Sequence, residues 1–215
     1  MTEQYIRELV SDYATKLIGI EEGTAEHMVI VNAYNSILPL PVGYKLSESD
    51  PWCAAFVSAV FWTTLEHKLN FPYECSCERM RLGASKLGIW VEDDGYMPKV
   101  GDVVMYDWQD SGDGDNTGYP DHVGIVTEVW TDTFKVVEGN MNDAVGSRIL
   151  HKDNKFIRGF ITPNYASISD DAEEELSDAQ KWFQDTLHIS VRNDGWDDGI
   201  ALTYRQLADI LYALK

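Results

Sequence analysis

A switch of hydrophobic period near residue 90 narrows the folds open to this chain more than any other feature. Before it, the pattern is helical. Tyr5, Ile6, Leu9, Val10, Tyr13, Leu17 and Ile18 recur at helical spacing and predict an amphipathic helix within residues 2–20. A second helix is expected over 24–37, with Thr24 as its N-cap, before Pro39, Pro41 and Gly43 break regular structure. The run from Pro51 to Trp62 is apolar all round, so it reads as a helix buried on every side. Residues 76–87 predict a short helix ending at Gly88. Beyond 90, segments 102–106, 122–129, 133–138 and 156–161 are rich in β-branched and aromatic residues between turn signals, which predicts strands. Helices first and strands second imply an α+β domain on an antiparallel sheet, closing near Pro163 and Asn164.

Length fits that reading, since 215 residues allow one full domain and a remainder. We expect a domain over 1–165, an acidic linker over 166–178 and a small helical tail over 179–215. Between Ser169 and Asp178 there are six acidic residues and no basic one, as in a solvated linker or an acidic first helical turn. Helices are expected over 176–188 and 203–214, too little chain for an independent core. The tail therefore docks on the main domain or on another subunit, and the oligomeric state stays open.

Charge and cysteine usage exclude several classes. With 36 acidic against 17 basic residues the net charge is −19, a surface that repels phosphate backbones and argues against nucleic acid as a partner. No run approaches about 18 apolar residues, so no membrane insertion is expected. The first residues, MTEQYIRELVSDY, contain no apolar segment of the secretory kind. Three cysteines argue against a disulfide framework, and Cys75 and Cys77 read as packing or passive thiols.

Cys53 differs. It stands where a loop gives way to a helix, where the positive end of the helix dipole favours thiolate. His122 opens a strand, which can hold its imidazole rigidly at a sheet edge. A cysteine–histidine pair needs an orienting group on the second ring nitrogen, and Glu138 or Asn140, at the end of the next strand, are the candidates. If 122–129 and 133–138 form a hairpin, the end of the second strand returns beside the start of the first.

The segments that carry these residues, Ser49-Asp-Pro-Trp-Cys53-Ala-Ala-Phe-Val-Ser58, Gly101-Asp-Val-Val104, Asp121-His-Val-Gly-Ile-Val126 and Val137-Glu-Gly-Asn140, resemble in order those of the CHAP domain, the cysteine, histidine-dependent amidohydrolase/peptidase of phage endolysins and bacterial cell-wall hydrolases. The resemblance spans roughly residues 5–163. It implies a papain-like fold and a catalytic set of Cys53 as nucleophile, His122 as general base, Glu138 orienting the histidine and Asn140 completing the site. It further implies amide hydrolysis in peptidoglycan through a thioester, by N-acetylmuramoyl-L-alanine amidase or endopeptidase action, with no cofactor required. On this reading the protein is a phage or prophage lysin that waits in the host cytoplasm until a holin opens the membrane, then acts on the cell wall. The alternatives are a non-catalytic wall-binding module on the same fold and an intracellular acyltransferase.

Three further expectations concern binding. Trp52 and Trp108 are candidates for substrate contact, as is Asp121, where an acidic loop runs into His122. That loop, through Asp107, Asp113 and Asp115, offers oxygen ligands to calcium, or else is a solvated, turn-rich loop. Residues 202–212 vaguely resemble half of a surface-layer-homology repeat, which would make the tail a wall-binding or oligomerisation element.

Overall fold

The computed structural model describes residues 1–93, 95–109 and 116–169. The tail helices and the linker from residue 170 onward lie outside the described residues. Within the first unit, Met1–Ser169, four α-helices precede all six strands of one sheet among the described residues. The fold is α+β, as expected.

Helix α1, Glu3–Lys16, starts at a Thr2 cap whose hydroxyl accepts the Tyr5 N–H, and buries Ile6, Val10 and Ala14. It stops short of residue 20. Gly19, at φ 92°, turns the chain, and residues 19–22 bond to a distant turn instead, Gly19 N–H to Val145 O (2.9 Å) and Glu22 N–H to Asp143 O (2.7 Å). Helix α2, Ala25–Asn35, is capped by Thr24 as expected. Helix α3, Cys53–Leu65, is the predicted central helix, buried continuously from Cys53 to Phe61. Helix α4, Cys77–Lys86, is capped by Ser76.

The strands are β1 (Trp90–Val91), β2 (Val103–Tyr106), β3 (His122–Val129), β4 (Thr133–Glu138), β5 (Gly146–His151) and β6 (Ile157–Ile161), in spatial order β1-β6-β2-β3-β4-β5. Every pairing is antiparallel. The outer strands β1 and β5 were not expected. β1 is only two residues long, and most of β5 is half-buried or exposed, so neither has the apolar density that marks an interior strand.

Side-chain alternation gives the sheet two apolar faces. Val103, Met105, Val123, Ile125, Val137 and Ile161 join the helices in the main core, which also takes in Tyr165 and Ile168. Val104, Tyr106, Val126, Phe134, Val136, Leu150 and Phe160 form a second cluster on the other side.

One close approach brings the end of the sheet to the head of α3. A Cβ placed on Gly139 would lie 2.4 Å from Phe56 Cβ and 2.8 Å from Trp52 Cζ3. Only a glycine lets the β4–β5 turn sit directly on the first turn of that helix.

Candidate active site

Cys53 is the first residue of α3 and is 9% exposed. No side chain caps this helix, so its first-turn N–H groups remain available to a nearby anion. Trp52, just before it, is fully buried. Its indole N–H donates to Glu22 Oε2 (2.8 Å), and its ring packs on His27 and Phe56. This corrects the expectation that Trp52 meets substrate. It is a post that fixes where α3 begins, because its whole side chain is shut away from solvent.

His122 opens β3. The expected β3–β4 hairpin forms, with Ile125 opposite Val137, and it returns Glu138 to the start of β3. His122 Nε2 and Glu138 Oε2 are 3.0 Å apart. That contact leaves Nδ1 as the ring nitrogen free to exchange a proton with the Cys53 sulfur. Gly124 makes room for the arrangement, since a Cβ there would stand 2.6 Å from Glu138 Cγ.

Glu138 is fully buried and has a second partner that sequence reasoning missed. Arg148 Nη2, from β5, donates to the same Oε2 at 2.7 Å. The Arg148 guanidinium also lies over the Trp108 ring, 5.0 Å from its centroid. Trp108 in turn stacks on Tyr106, and Tyr106 on His122. A basic residue on a strand that carries no clear strand pattern gave no signal in the sequence.

The charges follow from these contacts. The Cys53 thiol falls to about 5: a hydrogen bond from Cys77 contributes most, burial opposes it, and His122 and the Ala54 N–H add to the stabilisation of the thiolate. Burial works against the His122 imidazolium, but the bonds to Cys53 and Glu138 outweigh it and raise the ring to about 9. Burial likewise opposes the Glu138 carboxylate, yet His122 and Arg148 hold it below the usual range. At neutral pH the site is a thiolate, an imidazolium and a carboxylate in sequence.

Cys77, read from sequence as a passive thiol, belongs to this site. Its sulfur lies 3.7 Å from that of Cys53. The Cys53 contact first, then burial, hold it well above the usual thiol range, so Cys77 is the S–H donor. Ser58 fixes this meeting of two helix starts. Its hydroxyl donates to Glu74 O (2.7 Å) and accepts the Glu74 N–H (2.8 Å), tying the chain before α4 to the flank of α3.

The remaining expected residues lie around this core. Asn140 stands in the β4–β5 turn with a left-handed backbone (φ 57°), and among the described residues no side-chain hydrogen bond joins it to His122. Asp121 accepts the Trp108 N–H (3.1 Å) and the Gln109 side-chain amide (3.2 Å), pinning the loop beside His122. Asp107 is buried and accepts the Gln109 N–H (3.2 Å). Asp113 and Asp115 lie outside the described residues. Among the described residues no group of three or more His, Cys, Asp or Glu is placed to hold a metal ion, and no helix there is long and apolar enough to cross a membrane.

The family model of the CHAP domain matches residues 45–140, a span that contains Cys53, His122, Glu138 and Asn140. Over that span the chain is similar to the CHAP domain. No curated protein matches the chain. Among solved structures it is similar to the crystal structure of Ly7917, at 17% identity and a TM-score of 0.37, and to that of Ly7917 with the hydrolyzing product of MDP, at 16% and 0.36. Each match takes in 65% of this chain, and 61% and 63% of the respective Ly7917 chains.

Proposed function

We propose that this protein is a peptidoglycan hydrolase in which Cys53 attacks an amide carbonyl. The observation that carries the reading is the Cys53–His122–Glu138 relay at the head of α3, within the span similar to the CHAP domain. The thiolate adds to the carbonyl carbon, and the resulting oxyanion is met by the Cys53 N–H at the uncapped helix start. The His122 imidazolium gives its proton to the leaving amine, and a thioester remains on Cys53. Neutral His122 then takes a proton from water, which attacks the thioester and frees the acid. Glu138 holds the ring in orientation and stabilises its charged form throughout. Trp108, half-buried and beside Arg148, and Tyr119, 77% exposed three residues before His122, are the aromatic surfaces offered to a glycan or stem peptide.

The test is mass spectrometry of fragments released from purified Gram-positive peptidoglycan by the wild type and by Cys53→Ala. We expect release by the wild type alone, with circular dichroism unchanged in the variant. Stem peptides with a new amino terminus at alanine would mark an amidase, and a cut within the stem or cross-bridge an endopeptidase. Equal release by both proteins would remove Cys53 from the mechanism. Binding to the wall without release, across several wall chemotypes, would favour a non-catalytic wall-binding module.

A further inference from the structure

Amide hydrolysis needs one thiol, and this site holds two. Cys53 and Cys77 are both unbonded, both buried, and each opens a helix, with their sulfurs 3.7 Å apart. The Ser58–Glu74 hydrogen bonds hold that spacing. Closing it to a covalent bond requires the sulfurs to approach by roughly 1.6 Å. Cys75 is less buried and sits before the Ser76 cap, outside α4. A thiolate is the form that hydroperoxides oxidise, and the sulfenic acid they leave is open to attack by a neighbouring thiol.

We propose that Cys77 is a resolving thiol, which converts hydroperoxide damage at Cys53 into a reversible Cys53–Cys77 disulfide that closes the site and shields its sulfur from further oxidation. The proposal rests on Cys53 being the reactive thiolate of the reading above. In the first step the Cys53 thiolate attacks the distal oxygen of hydrogen peroxide. The O–O bond breaks, Cys53 becomes a sulfenic acid, and the departing hydroxide takes a proton to become water. In the second step Cys77 gives up its proton and its sulfur attacks Cys53 Sγ, forming the S–S bond. The S–O bond breaks, and the hydroxide released takes up that proton as a second water. Peroxide gains two electrons and the two thiols lose them. An added dithiol reverses the change by thiol–disulfide exchange.

The test treats the full-length wild type, Cys77→Ser, Cys77→Ala and Cys75→Ser with hydrogen peroxide at neutral pH, and reads intact mass and peptide maps beside hydrolysis. We expect the wild type and Cys75→Ser to lose two hydrogens, to yield a peptide linking Cys53 to Cys77, and to regain both thiols and activity with dithiothreitol. Both Cys77 variants should instead gain two or three oxygens on Cys53 and stay inactive after reduction. Wild-type Cys53 reaching the sulfinic state as readily as in the variants would overturn the proposal, as would a disulfide to Cys75. The wild-type mass result decides even if a Cys77 variant fails to fold. Because mass is read independently of turnover, a wrong resolving thiol is distinguishable from a wrong nucleophile, which only hydrolysis by Cys53→Ala would reveal.

Discussion

At the scale of single residues the site is a set of opposed charges whose protonation fixes when it can work. Cys53 is a thiolate above about 5, and His122 an imidazolium below about 9. The reactive pair therefore exists between those values. On the proposed mechanism, acid protonates the nucleophile, while alkali strips the proton that the leaving amine must receive. Hydrolysis measured across pH should rise near the lower value and fall near the upper one. Alkylation of Cys53 by iodoacetamide should share the acid limb, since it needs the thiolate but no proton donor. Glu138→Gln separates the two limbs. Without the carboxylate, His122 loses a partner that favours its charged form, so the alkaline limb should move down toward the ordinary value of about 6.5. The rate should also fall by roughly 10²–10⁴, the usual scale for losing the orienting acid of such a relay. An alkaline limb that stays in place would show that Glu138 does not set the state of His122.

Among elements, the β3–β4 hairpin and the two cysteine-headed helices do the positioning. A Cβ at position 124 would meet Val136 Cγ1 at 2.4 Å and Glu138 Cγ at 2.6 Å. Neither neighbour gives way easily: Val136 is in the second core, and Glu138 is held by His122 and Arg148. Gly124→Ala should cost about 1–3 kcal/mol in urea unfolding, and should lower the rate of the folded protein by displacing Glu138. Adding Val136→Ala removes one of the clashing atoms, so the double variant should be less destabilised than the two single losses summed. Strict additivity would place the strain elsewhere. The hairpin is also why much of the site was legible in sequence. Its short turn and alternating strands brought Glu138 to His122 by topology, and an apolar run after Pro51 set Cys53 at a buried helix start. Cys77 was not legible, because its place depends on Ser58 gripping the chain at Glu74, a tertiary contact with no local pattern. Arg148 was hidden with β5, a half-exposed edge strand whose residues do not announce a strand.

Over the whole described unit, one buried ion pair joins distant parts of the chain. Arg7 of α1 donates to Asp102 Oδ1 (2.9 Å) and to Val100 O (3.0 Å). Asp102, fully buried just before β2, also accepts the Tyr96 hydroxyl (2.7 Å) and the Lys99 N–H (2.8 Å). The Arg7 guanidinium lies over the ring of Tyr165, whose hydroxyl donates to Gly101 O (2.6 Å). The first helix, the entry to the central strands and the segment after β6 thus meet at one charge pair. Its net worth is smaller than its geometry suggests, because both charges had to leave water. Breaking it is another matter, since without Asp102 the buried Arg7 would keep only the partly exposed Glu3 (2.7 Å) as a charge partner. Asp102→Ala should therefore lower the stability to urea by about 3–5 kcal/mol, whereas Arg7→Met combined with Asp102→Leu should recover most of that loss. Neither residue belongs to the Cys53 relay, so both variants should hydrolyse normally per folded molecule at temperatures where they remain folded. If Asp102→Ala costs less than about 1 kcal/mol, water reaches Arg7 and the pair is no clamp. If the double variant stays as unstable as the single one, the neutral hydrogen bonds to Asp102, rather than its charge pairing, hold the three segments together.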